Sequence, residues 1–322
     1  MVYMDPLLFF QFIREATGGL FNSFFLACSV YGETTAVIIL TALLYWCIDK
    51  KIGEYVLVSM GWANLINGIV KLTACIYRPW VVDSRIKPVE DALATANGYS
   101  FPSGHVTSLT TLLGGPTLKA NISKAFKILL WIFVLIIGLS RLYLGVHFVS
   151  DVVFAFLFTL AVLLIVKKLF DMVEENPNLD LIISAAGIIV SILFVVYAMT
   201  KSYPMDYDAA DKLIANPAKL MLESIYKAGF ACAIFISWPI ERRYIKFSSD
   251  GDVQTRLFRG LLGFIILEVY FNCIGMPIYK SGTVIGIFLS TFIPLIFIML
   301  IYPICINYFN KRNSESSEES VS

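Results

Sequence analysis

The sequence predicts an all-α fold, a polytopic membrane helix bundle of about nine transmembrane helices. Three observations carry this expectation. Hydrophobic residues fill 58% of the 322 positions and charged residues only 15%, against roughly 25% charged in soluble domains. The mean hydropathy is +0.76. Nine stretches approach the about 20 apolar residues that a bilayer requires. This composition excludes a soluble globule. The charges nearly cancel, 25 basic against 24 acidic, which excludes the strongly basic face of a nucleic-acid binder.

Taken in order, the N-terminal run Leu7 to Ile13 is too short to span and reads as a helix lying in the interface. It has no basic n-region and no clear small-residue cleavage site, so it is not an ordinary signal peptide. The expected spans are 29–48, 53–76, 103–119, 125–142, 149–168, 179–200, 217–239, 257–275 and 282–308. The third is the weakest, since it holds Thr107, Ser108, Thr110, Thr111, Gly114, Gly115 and Pro116. Such a segment belongs among other helices, where small residues allow close approach. Asn216-Pro217 reads as a helix start. The tail after residue 309 is acidic and serine-rich, as in disordered segments. The six cysteines fall in or beside apolar runs and read as small hydrophobes, with no metal or disulfide pattern.

Basic residues orient the chain. Fourteen of the 25 fall on one side, in turns such as Lys50-Lys51, Lys167-Lys168 and Arg242-Arg243. That side is expected to be cytoplasmic, with the N-terminus outside and the C-terminus inside. Short loops and the lack of an organelle signal point to a bacterial plasma membrane. No internal repeat is present, unlike many transporters.

The opposite side collects polar residues at span ends. Lys71 is followed by Arg78-Pro79, then comes Pro102-Ser103-Gly104-His105, then Ser140-Arg141 with His147 and Asp151. The pattern is K-x6-R-P, P-S-G-H and S-R-x5-H-x3-D. These three segments resemble the signature of the type 2 phosphatidic acid phosphatase superfamily, with every position in order and on one expected side. The resemblance covers roughly residues 25–170. The nine-span layout is similar, in architecture only, to the glucose-6-phosphatase branch. It implies four parts: an interfacial N-terminal helix (1–28), a six-helix membrane phosphatase core (29–200), three further transmembrane helices (201–309) and a disordered cytoplasmic tail (310–322).

The resemblance implies that His147 is a nucleophile forming a phosphohistidine. His105 would then be the general acid, later the base for water. The residue types fit. A phosphoryl group in flight spreads charge over three oxygens, and Lys71, Arg78 and Arg141 supply three cations, arginine binding phosphate oxygens in a fork. The gap from Lys71 to Arg78 is about two helical turns, so both can face one point. Ser103 and Gly104 open a helix whose free N–H groups suit an anion, and Gly104 permits close approach. Asp151, four residues after His147, would hold the imidazole in one tautomer. His105 and His147 are the sequence's two histidines. No metal or cofactor is expected.

Other residues carry open readings. Glu268 and Asn272 line a substrate cavity or hydrogen-bond between helices. Lys219, Glu223 and Lys227, spaced by four, form an ion-paired helix face or touch substrate. Glu33 caps a helix end. Tyr77, Trp80 and Tyr143 anchor the interface, and Gly114-Gly115-Pro116 kinks a helix for packing. The expected function is an integral membrane phosphatase hydrolysing a phosphomonoester, foremost a lipid phosphate, on the non-cytoplasmic side. Candidate substrates are phosphatidic acid, phosphatidylglycerol phosphate, an isoprenyl pyrophosphate or a soluble sugar phosphate. A phosphotransferase and a catalytically silent transporter or scaffold are the alternatives. The partners are substrate and membrane lipids.

Overall fold

Helix α1 (Pro6–Ala16) starts where Asp5 accepts a hydrogen bond from the Leu7 amide at 2.8 Å and Pro6 occupies the first turn, a position where a missing N–H costs nothing. It lies against Tyr143, with Phe12 turned outward. The coordinates are a computed structural model, which describes residues 5–208, 211 and 213–319. After α1 come α2 (Asn22–Val30), α3 (Thr34–Leu43), α4 (Lys50–Ala74), α5 (Gly104–Leu109), α6 (Lys124–Tyr143), α7 (Val149–Glu175), α8 (Leu179–Thr200), α9 (Pro217–Ile240), α10 (Val253–Val269), α11 (Val284–Ile296) and α12 (Tyr302–Glu319). Single π turns prolong α3, α5, α9, α10 and α11. Among the described residues there is no strand, only one bridge between Tyr207 and Leu213.

The fold is a polytopic helix bundle, as expected, with a different count. Seven helical segments among the described residues are long and apolar enough to cross a membrane. The pair Asn22–Val30 and Thr34–Ile48, bent by 58°, makes an eighth. The expected span 103–119 does not reach that length. It is α5, a π turn over Thr110–Gly114 and a short helix Gly115–Lys119, because its glycines and hydroxyl residues remove apolar length. Gly114 packs on Trp131 and Gly115 on Val56, so the kink serves packing. The tail expected to be disordered continues as α12 to Glu319; residues 310–319 contain neither glycine nor proline to stop it, and 320–322 lie outside the described residues.

Two helices are central. In both α4 and α9, 67% of the apolar window is buried, against 22–39% in the other spans. Close approach depends on glycine: a Cβ on Gly68 of α4 would stand 2.4 Å from Phe194 of α8, and one on Gly187 of α8 2.3 Å from Phe235 of α9. The outer faces expose Leu135, Leu157, Ile165, Ile182, Leu193 and Leu261, the inverse of a soluble surface and suited to lipid. Asn216 caps α9 as expected, accepting from the Ala218 and Lys219 amides at 2.9 and 3.4 Å.

Ion pairs tie the ends of α9 and α4. Lys50 meets Glu241 at 2.7 Å and Glu54 at 3.7 Å, while Arg243 reaches Asp180 at 2.6 Å. Lys71 lies some 30 Å further along α4 at the usual rise per residue, so the motif residues gather at the opposite end. Tyr143, expected at the interface, is instead 2% exposed between Phe10 and Phe25. The N-terminal helices cover it, which no local pattern announces. Tyr77 donates to Asp206 at 2.6 Å, joining the connection 77–102 to the connection 201–216.

Candidate active site

Helix α4 ends at Cys75, which takes a left-handed conformation (φ 50°), and Pro79 prevents a continuation after Arg78. Lys71 and Arg78 therefore do not share a helical face, contrary to the two-turn expectation. They converge because the loop 77–102 folds back. The Ser100 amide donates to the Ile76 carbonyl at 2.7 Å. Lys71 Nζ donates to the Tyr99 carbonyl at 2.8 Å. Arg78 donates to the carbonyls of Asn97 (2.7 Å), Val146 (2.9 Å) and Gly98 (3.2 Å). Gly98 sits at φ +59°, a turn that glycine adopts without strain.

His147 lies in the turn before α7, not on the helix. Its Nδ1 is 3.1 Å from Asp151 Oδ2, and Arg78 donates through NH1 to its Nε2 at 3.0 Å. An arginine donor at Nε2 requires a lone pair there, so the ring proton resides on Nδ1 and faces the carboxylate. Asp151 is the third helical residue of α7 and accepts from the Phe148 amide at 2.8 Å, a first-turn carboxylate at a helix N-terminus. The four-residue spacing thus works through a helix cap. Ser100 donates to the same Asp151 oxygen. Both His147 and Asp151 are buried, at 2% and 0% exposure. Burial first, then the charges of Arg78, Arg141 and Lys71, push the imidazole well below its usual range and keep it neutral.

Arg141 is fully buried at the end of α6 and donates to the Ser29 hydroxyl of α2. Its Nε and second terminal nitrogen have no partner among the described residues, and neither do Ser103 Oγ and His105 Nε2. Buried polar atoms are ordinarily paired; here five of them fall on motif residues, the fifth being Asp151 Oδ1. The Ser103 amide is committed to the Asp151 carbonyl at 3.2 Å, so Ser103 offers its hydroxyl rather than its N–H. Gly104 borders open space, with first-turn amides that lack helical acceptors. Among the described residues no group of three His, Cys, Asp or Glu is placed to hold a metal.

A cavity of about 540 Å³ opens beside Gly104 and His105. Glu268, Asn272, Glu223 and Lys227 line it, whereas Lys219 does not and is exposed. Asn272 donates to Glu268 at 3.0 Å within one helical stretch, not between helices. The expected ion-paired face on α9 does not form among the described residues: Lys227 instead donates to Asn67 at 3.0 Å. Glu33 stands at the start of α3 without a side-chain cap bond and faces the cavity.

Sequence reasoning missed Ser100, Asn67, Ser29 and Gly32. Asn67 lies one turn before Lys71 and donates to Thr107 at 3.1 Å, so an amide inside an apolar span was a usable signal. Ser100, three residues before Ser103, adjoins the motif. Gly32, whose Cβ would stand 2.7 Å from His105 Cδ2, and Ser29 carry no local signal.

The comparisons with known proteins fall on the same region. The chain is 30% identical over 112 residues to phosphatidylglycerophosphatase B of Bacillus subtilis (strain 168), covering 32% of this chain and 54% of that protein. It is 30% identical over 133 residues to undecaprenyl-diphosphatase of Sulfolobus acidocaldarius, covering 41% and 62%. The chain thus spans between half and two thirds of the length of these relatives. No solved structure gives a significant match. The model of the PAP2 superfamily matches residues 54–175, a range that holds Lys71, Arg78, Ser103, Gly104, His105, Arg141, His147 and Asp151, and this part of the chain is a PAP2 superfamily domain.

Proposed function

We propose that this protein is an integral membrane phosphatase that hydrolyses a phosphomonoester through a phosphohistidine on His147, without a metal. The observation that carries the reading is the orientation of His147: a lone pair on Nε2 beside Arg78, with Nδ1 held by Asp151. The names of the two relatives favour a lipid phosphate as substrate. The basic end of the bundle would face the cytoplasm and the site the other side.

In this mechanism Lys71, Arg78 and Arg141 hold the phosphoryl oxygens, with help from Ser103 and the Gly104 amide. Nε2 of His147 attacks phosphorus as the ester P–O bond breaks. The departing oxygen takes a proton from His105. Asp151 stabilises the ring while it carries the phosphoryl group. His105 then removes a proton from water, whose oxygen attacks phosphorus, and phosphate leaves with His147 restored. Three cations do what a metal would do for the equatorial oxygens.

The test is phosphate release by the purified protein from lipid, sugar and aryl phosphates, with EDTA present, and its inhibition by vanadate. Activity that survives EDTA, with alkali-stable and acid-labile label on His147, is the expected result. Release that requires added magnesium, or label that persists in His147→Ala, overturns the mechanism.

A further inference from the structure

We infer that the cavity beside His105 binds the alcohol part of the substrate, and that this alcohol is polyhydroxylated: a glycerol or sugar headgroup rather than a plain alkyl or isoprenyl one. The inference rests on the phosphatase reading and deepens it. The cavity, about 540 Å³, falls in the roughly 300–1,000 Å³ range of small-ligand sites. It touches the motif at Gly104 and His105, and His105 Nε2 has no partner among the described residues. A phosphoryl group held by the motif cations would direct its leaving oxygen toward His105, and the carbon chain bonded to that oxygen would enter the cavity.

Most of the lining comes from outside residues 54–175. Glu33 comes from the start of α3, Glu223 from α9, and Glu268 with Asn272 from α10 and its π turn. Neither Glu33 nor Glu223 has a hydrogen bond or ion pair among the described residues. Carboxylates accept from hydroxyls, and the amides of Asn64 and Asn272 both donate and accept. Tyr226 and Tyr279 meet edge to face at 5.7 Å and offer apolar surface to C–H groups. Charged groups at membrane depth are costly and mark function. A second phosphate would meet three carboxylates and one lysine, Lys227, already donating to Asn67. A diphosphate is therefore disfavoured, and a bare hydrocarbon would leave the Glu33 and Glu223 carboxylates without a donor.

The test compares kcat/KM of the 322-residue chain for four phosphates: hexose 6-phosphate, a glycosyl-diacylglycerol phosphate as the lipid, butyl phosphate and an isoprenyl diphosphate. Wild type should prefer either hydroxylated substrate to butyl phosphate and to the diphosphate. Preference for the soluble sugar indicates aqueous access; preference for the lipid indicates access from the bilayer; both support the inference. Glu268→Gln and Glu223→Gln should each lower the ratio of hydroxylated to butyl substrate at least about tenfold, the value of one charge-assisted hydrogen bond. Equal kcat/KM for butyl and hydroxylated phosphates in wild type, or a preference for the diphosphate, overturns the inference even if both variants fail to fold. If no phosphate at all is released, it is the phosphatase reading that fails. Thermal stabilisation of wild type by glucitol 6-phosphate, reduced in Glu268→Gln, then still supports the cavity, and its absence overturns it.

Discussion

Replacing Gly32 by alanine tests how the N-terminal helices bear on the site. Gly32 has a backbone outside the left-handed region, so alanine adds no torsional strain, only volume. The added Cβ would stand 2.7 Å from His105 Cδ2 and 3.1 Å from both Cβ and Cγ. Ordinary carbon contacts begin near 3.5 Å, so the imidazole must retreat by about 0.8 Å. Because the His105 Cβ is crowded as well as the ring, rotation about the side-chain bonds does not relieve the clash. The first turn of α5 has to move. A misplacement of about 1 Å can cost roughly 10²-fold in rate, while overpacking costs about 1–3 kcal/mol of stability. Turnover of an alkyl phosphate should thus fall about 10²-fold in a protein that still folds. An activated aryl phosphate, whose leaving group needs no proton, should lose much less in the phosphorylation step. The assay is single-turnover labelling of His147 with each substrate, beside thermal melting in the same detergent. Alkyl phosphate turnover within threefold of wild type, or equal losses for both substrates, would refute the positioning of His105 by Gly32.

The remaining expectations concern the motif and its supports. His105→Ala with an aryl phosphate should accumulate acid-labile phosphohistidine, since water attack loses its base at a cost of about 10²–10⁴-fold; label on His105 instead of His147 reverses the two roles. Arg78→Lys should lower kcat/KM at least about tenfold, because a lysine cannot serve His147 and three carbonyls together; kinetics and melting of the purified variant decide it. Ser100→Ala should slow phosphorylation of His147 without raising KM, as Asp151 loses one of its donors; a rise in KM alone counts against that role. His147 is held neutral in the fold, so below pH 6.5 the unfolded chain binds a proton that the native one does not. Stability should therefore fall as pH drops from about 6.5, and imidazole NMR should find His147 titrating below the usual histidine range.

The apolar spans were legible because hydropathy is local: about 20 residues decide whether a segment tolerates lipid. The motif residues were legible too, with their common end of the bundle, since alternate spans return to the same face. The start of α9 at Asn216-Pro217 follows equally from local cap chemistry. Tertiary structure decided the rest. Lys71 and Arg78 converge because α4 stops at Cys75 and the loop 77–102 folds back, and a helical repeat of 3.6 says nothing of where the helix stops. His147 and Asp151 meet across a helix cap that their spacing shares with a helical turn. Within 103–119 the close packing of the paired glycines depends on neighbours such as Trp131 and Val56. Gly32 against His105, Ser29 on Arg141 and the approach of Glu223 and Glu268 to one cavity join residues far apart in the chain. Such contacts arise from how the helices pack side by side, and a one-dimensional pattern records each helix alone.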